Sequence, residues 1–201
     1  MNQDPLVILL VVGVSAYLGK LWLDDYRDAR PGGLPGATSA NVPIVLIGIV
    51  ASLVLVLAET VGEWALGIGG QQSTVTWLFL LAMLAAGFLE ELIFRGYLVI
   101  DRRGRGALVA SILGFSALFA LAHFHWAEWT GLENGWIELR LTTGAFWWTL
   151  FAFLNSLLFY GLRFSGWNPR RSLIPCFAGH MIGNLAVFVV KWVQGFVSGL
   201  Y

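Results

Sequence analysis

The chain has 201 residues, 58% of them hydrophobic and 12% charged, with zero formal net charge and a mean hydropathy of +0.75. A soluble domain carries about 25% charged residues, so the composition excludes an ordinary soluble enzyme and points to a multi-pass membrane protein. Balanced charge offers no footing for nucleic acid, and a single cysteine, Cys176, excludes an intrachain disulfide.

Taken in chain order, six apolar segments approach the roughly 20 residues needed to cross a ~30 Å hydrocarbon core. They are Leu6–Leu23, Pro43–Leu66, Thr74–Ile100, Ala107–Phe124, Gly144–Leu162 and Leu173–Val193. They predict an all-α fold, a polytopic helix bundle of about six transmembrane helices, as one integral-membrane domain over residues 1–201. The first segment has no basic residue before its apolar run, unlike a secretory signal, and reads as a retained helix. Pro43 stands where a helix begins without losing a hydrogen bond. Between the first two segments, "DARPGGLPGATSANVP" reads as a flexible loop.

The third segment contains "FLEELIFRGYL", with Glu90, Glu91 and Arg95 inside apolar sequence. An ionisable group at the bilayer centre costs about 2.5–3.5 kcal/mol or more on insertion scales, so such a cluster needs a reason. Glu91 and Arg95 are four residues apart in the order that favours pairing on a helix. Glu90 points ~100° away and is left as a spare carboxylate suited to proton chemistry. The fourth segment holds "FALAHFHW", with His123 deep and His125 near its end; His125 reads as a packing residue. Asn155 and Ser156 in the fifth are small bridging groups between helices. The sixth holds "GHMIGN", with His180 and Asn184 one turn apart on one face.

Orientation follows from the twelve basic residues. Lys20, Arg27, Arg30, Arg102, Arg103, Arg105, Arg163, Arg170 and Arg171 flank the first, third and fifth loops, whereas Arg140 and Lys191 fall toward the other side. This places those three loops in the cytoplasm and both termini outside the cell (inner) membrane. Trp64, Trp77, Trp126, Trp129 and Trp192 lie near the outer ends, as an interfacial belt would. Trp126, Trp129, Leu132, Trp136 and Leu139 recur at helical spacing, with Glu128, Glu133 and Glu138 between them. That outer stretch is either a helix lying flat on the membrane or, given Gly131 and Gly135, a hydrated loop.

The chemistry that fits these groups is hydrolysis of a peptide bond by water: Glu90 as base, His123 as its partner, His180 and Asn184 as donors to the oxyanion. Two His and one Glu also form a zinc set, so Glu90, His123 and His180 as metal ligands remain the alternative. The sequence has no His-Glu-x-x-His run.

"EELIFR", "FALAH" and "HMIGN" resemble, in order, the Glu-Glu-x-x-x-Arg, Phe-x-x-x-His and His-x-x-x-Asn motifs of the CPBP intramembrane proteases, the family of CAAX proteases and bacteriocin-processing enzymes. The resemblance covers about residues 74–190. It implies a helical core with a polar cavity inside the bilayer and a membrane-anchored protein or peptide as substrate. By the same resemblance Glu90 activates water with His123, His180 and Asn184 form the oxyanion site, and Glu91 with Arg95 holds the site's shape. No cofactor is expected on the glutamate-type reading, and zinc is the alternative. Two other functions stay open: a non-proteolytic immunity or scaffold protein of the same family, and a proton-coupled transporter, against which stand the few spans and the lack of paired repeats with broken helices.

Overall fold

A computed structural model describes residues 3–128 and 137–201. Helix α1 (Pro5–Asp28) is capped by Asp4, whose side chain accepts from Leu6 N, with Pro5 in the first turn. Helix α2 (Val42–Ala65) carries Pro43 in its first turn, as expected. Helix α3 spans Phe79–Glu90 and continues without a break as a π-helical turn, Glu91–Tyr97. Helix α4 is Arg105–Ala122. Helix α5 (Thr143–Phe164) is capped by Thr142, which accepts from Ala145 N, and α6 is Ile174–Val193. All but α3 are long and apolar enough by themselves to cross a membrane. The all-helical membrane architecture is therefore as expected, with a shorter α-helical third pass than the sequence suggests. Large apolar side chains such as Leu6, Leu57, Phe146 and Val193 are exposed on the outside, the surface a lipid-embedded bundle presents.

Helix α2 packs on α6 and α5, α1 and α6 flank α3, and α4 leans on α5. The α2–α6 seam is built from small residues. A Cβ on Gly48 would stand 2.7 Å from the Pro175 carbonyl oxygen, and one on Gly179 would stand 2.9 Å from the Gly48 oxygen. One turn on, Ser52 faces Gly183. Small residues at four-residue spacing on both helices let the backbones touch, the usual device for helix association in lipid.

Each end of the bundle is tied together. At one end the first loop is not free, contrary to its composition. Gly36 O accepts from Leu173 N at 3.1 Å, Pro35 O accepts from Trp22 Nε1 at 3.1 Å, and Thr38 Oγ1 donates to Arg170 O at 3.0 Å. Gly36 adopts φ +66°, and a Cβ there would meet Leu173 N at 2.9 Å, so both conformation and space demand glycine. Arg171 pairs with Asp101, joining the third and fifth loops. At the opposite end both termini meet the second loop. Gln3 Oε1 accepts from Thr76 N at 2.9 Å, and Val75 forms a parallel bridge with Val197.

Trp129, Gly131, Leu132, Glu133, Gly135 and Trp136, which the flat-helix expectation needed, lie outside the described residues. The flanks of that stretch pair as two short antiparallel strands, β1 (Ala127–Glu128) and β2 (Glu138–Leu139). Among the described belt tryptophans, Trp64, Trp77 and Trp192 are exposed, and the rings of Trp77 and Trp192 lie 6.1 Å apart.

Candidate active site

The junction of α3 with its π-turn carries the charged residues. Glu91 and Arg95 are fully buried, and Arg95 Nη1 lies 3.0 Å from Glu91 Oε1. This is the i, i+4 pair the spacing predicts. Among the described residues none of the three Arg95 guanidinium nitrogens has a hydrogen-bond partner, the contact with Glu91 being an ion pair. Its guanidinium instead sits among four rings, with centroids at 4.5 Å (Phe119), 5.1 Å (Tyr160), 5.3 Å (Phe159) and 5.9 Å (Phe94). Ring faces carry negative potential and take over part of the lost solvation.

π-Turns are uncommon and cluster at functional sites. Here the wider turn is marked by the Leu98 N to Ile93 O hydrogen bond of 2.9 Å. The Tyr160 hydroxyl holds it from α5, lying 2.8 Å from both Phe94 O and Leu98 O. One hydroxyl proton shared by two carbonyls is a bifurcated donor. Tyr160 thus braces the turn with its oxygen and covers Arg95 with its ring.

His180 arrives from α6 and meets both glutamates. Its Nδ1 is 2.7 Å from Glu91 Oε1, and its Nε2 is 3.6 Å from Glu90 Oε2. The first contact is a hydrogen bond; the second is too long for one. The imidazole stacks on Phe159, centroids 5.1 Å apart and planes 16° apart. A carboxylate on Nδ1 fixes the ring and directs Nε2 toward Glu90, the logic by which a buried acid orients a working histidine. The Glu90 side chain keeps 31% of its surface exposed while Glu91 keeps none, which separates a carboxylate that can meet substrate from one that cannot.

Asn184, one turn along α6, donates Nδ2 to Met83 O at 2.8 Å, which fastens α6 to α3 and leaves the amide a second N–H. His123 lies elsewhere than the sequence suggests. Helix α4 ends at Ala122, so His123 is its exposed C-cap and not a deep residue. Its Nδ1 bonds Phe119 O at 2.8 Å, and among the described residues it forms no ion pair or hydrogen bond with Glu90. Phe119 links the two imidazoles, its ring centroid 4.6 Å from His123 and 6.3 Å from His180. The structure therefore gathers Glu90, Glu91, Arg95 and His180 directly, with Asn184 one turn away and His123 beyond Phe119. Among the described residues no three His, Cys, Asp or Glu side chains are gathered as metal ligands, so Glu90, His123 and His180 as placed do not fit zinc.

Three features lie outside the sequence-based site. Glu59 and Glu63, four residues apart in α2, carried the same signal as Glu90 and Glu91: acids inside an apolar span. The Gly48-x-x-x-Ser52 and Gly179-x-x-x-Gly183 spacings marked the α2–α6 seam. Tyr160 carried no signal, since a tyrosine in a span is ordinary. His125 packs its ring against His123 and Trp148, with centroids 5.8 and 5.9 Å away. It lines a cavity beyond His123, where burial, reinforced by the neighbouring His123, pushes its pKa down to about 4.

The family model for type II CAAX prenyl endopeptidase Rce1-like proteins matches residues 72–186 of the 201. No curated protein and no solved structure matches the chain. Glu90, Glu91, Arg95, His123, His180 and Asn184 all fall inside the matched region, whereas Glu59 and Glu63 fall outside it.

Proposed function

The chain belongs to the Rce1-like family of type II CAAX prenyl endopeptidases, and on that premise we propose that it is an intramembrane endopeptidase of the glutamate type. Its substrate is a membrane-associated protein or peptide, from which it removes a C-terminal tail, an anchor or a leader. Its setting is the cell (inner) membrane, with both termini outside.

One observation supports the reading above the others: Glu90, partly exposed, stands 3.6 Å from an imidazole that Glu91 orients. In the reaction Glu90 accepts a proton from water as the water oxygen bonds to the scissile carbonyl carbon. The carbonyl oxygen becomes an oxyanion, which takes the second N–H of Asn184 and a proton donor on His180. The carbon–nitrogen bond then breaks as Glu90 returns the proton to the leaving nitrogen. Glu91 and Arg95 keep Glu90 and His180 in register. His123 retains the role of positioning the water; because it does not touch Glu90, that role runs through water or through a shift of α4. No step passes through metal.

The test is a comparison of membrane proteomes from cells producing wild-type or Glu90→Gln protein, read by mass spectrometry of new termini. A cleavage product present only with the wild type, from two proteins of equal thermal stability, is the expected result. Identical termini in both would reject the protease and favour the scaffold alternative. Stoichiometric zinc in purified wild type, lost in His123→Ala, would overturn the glutamate-type mechanism.

A further inference from the structure

At the end of the bundle that carries both termini, α2, α5 and α6 leave a cavity of about 380 Å³. Its walls include Val56, Glu59, Glu63, Trp148, Val187 and Lys191, with His125 at its edge. The volume falls within the roughly 300–1,000 Å³ of ligand sites, which join apolar walls to a few placed polar groups.

The cavity stands in line with the catalytic groups. His125 faces it, and its ring lies 5.8 Å from that of His123. On α6, Val187 is one turn beyond Asn184 and seven residues beyond His180, about 10 Å along the axis. A peptide in extended form covers that distance in about three residues.

Charge identifies the occupant. Glu63 is 4% exposed and held by two donors, Gln72 Nε2 at 2.5 Å and Trp148 Nε1 at 2.6 Å. Lys191 Nζ is committed to Ser73 O at 2.9 Å, and Arg140 to Glu128. Glu59 faces the same space, and among the described residues its carboxylate has no hydrogen-bond or ion-pair partner. Two carboxylates therefore face one ammonium, and the unsatisfied group is an acceptor. A carboxyl group beside another in this half-enclosed space is costly to ionise, and an arriving cation relieves that cost. Aromatic and valine walls suit an aliphatic stem below the cationic head, the build of lysine and arginine.

We propose that this cavity is a substrate subsite that binds a Lys or Arg side chain, with Glu59 as its counter-charge, about three residues from the bond that Glu90 attacks. The register rests on the protease reading; the binding of a basic side chain does not.

Labelled peptides with an apolar stretch of about 20 residues, bearing Lys, Arg, Gln or Glu beside one end, are titrated in detergent against Glu90→Gln protein, so that none is consumed. The Lys and Arg peptides should bind about tenfold tighter than the Gln peptide. Glu59→Gln should erase the difference, and Glu59→Lys should transfer the preference to the Glu peptide. Lys191→Gln, which removes the competing ammonium, should widen the preference and provides a second variant if the Glu59 changes disturb folding. Equal binding of all four peptides, or a preference that survives Glu59→Gln, would overturn the proposal. Preferential binding of Lys peptides to a wild type that cleaves none of them would reject the protease reading and leave the subsite standing. With a cleaving wild type, moving the lysine by one residue should move the cut by one residue; a fixed cut would refute the register.

Discussion

The charged centre at the π-turn and the cavity at the terminus-bearing end use the same side chains to opposite effect. Each has two glutamates close in sequence with a cation beside them, histidine and aromatic rings, to which the cavity adds the Glu128–Arg140 pair. At the π-turn the cation and one acid are fully buried, in contact, and roofed by rings. In the cavity the cation is committed to a backbone carbonyl and one acid faces open space. The first arrangement stores rigidity, because removing either partner strands the other in a dry place. The second stores binding capacity, because its compensation has still to arrive.

The sharpest way to break this contrast is to delete one charge from each region. Arg95→Gln leaves Glu91 buried without its cation and should cost about 3–5 kcal/mol of stability, read as a large fall in thermal midpoint in detergent. Glu59→Gln, the matching deletion in the cavity, should leave the midpoint unchanged or raise it. Equal losses would mean that the cavity is as structural as the centre.

A smaller contrast lies in the glycines that bring helices together. Alanine at Gly48 presses on the Pro175 backbone, whereas alanine at Gly62 meets the far edge of the Trp147 ring, a side chain that yields once its Nε1 hydrogen bond to Glu59 O is released. Overpacking costs about 1–3 kcal/mol, with Gly48→Ala expected at the top of that range and Gly62→Ala at the bottom. The reverse order in chemical or thermal melts would relocate the rigid seam from α2–α6 to α2–α5.

Tyr160→Phe keeps the ring over Arg95 and removes only the hydroxyl. It should cost about 1 kcal/mol of stability and lower kcat of the proposed reaction with little change in KM, because the brace on the π-turn acts through the aim of Glu90. A variant that melts like wild type and turns over at the wild-type rate would show that the π-turn holds without its brace.

The smallest expected effect is on pH dependence. His125, with its pKa held down to about 4 against an ordinary value of 6.5, is neutral when folded. Above pH 6.5 it is neutral in both states and costs nothing. As pH falls from 6.5 toward 4 the unfolded chain takes the proton first, so the folded state loses ground over that window. His125→Asn should flatten this part of the stability profile. An unchanged profile would mean that His125 is solvated and that the cavity edge is wetter than its walls imply.

The resemblance carried by three short motifs pointed to the family, which the match over residues 72–186 shows independently. The rest of the site was only partly legible. The Glu91–Arg95 contact followed from sequence because both residues lie on one helix, where spacing alone sets distance. The placement of His123 did not, because the apolar run extends past the point where α4 stops at Ala122. The first loop looked flexible because Gly and Pro mark turns equally well in free and in docked loops; its hydrogen bonds to Leu173 and Arg170 come from chain more than 130 residues away.

By itself the sequence determined that the chain is an all-helical bundle of long apolar segments, that Pro43 opens one helix, and which residues on one helix share a face. These depend on neighbours a few positions apart. Only the tertiary structure decided that His180 reaches both glutamates, that Tyr160 braces a π-turn, and that Glu59 faces a cavity. Those outcomes depend on how far each helix is rotated and slid against the next. Rotation and sliding are set by the summed packing of small and aromatic side chains across several interfaces, and no local spacing rule encodes that sum.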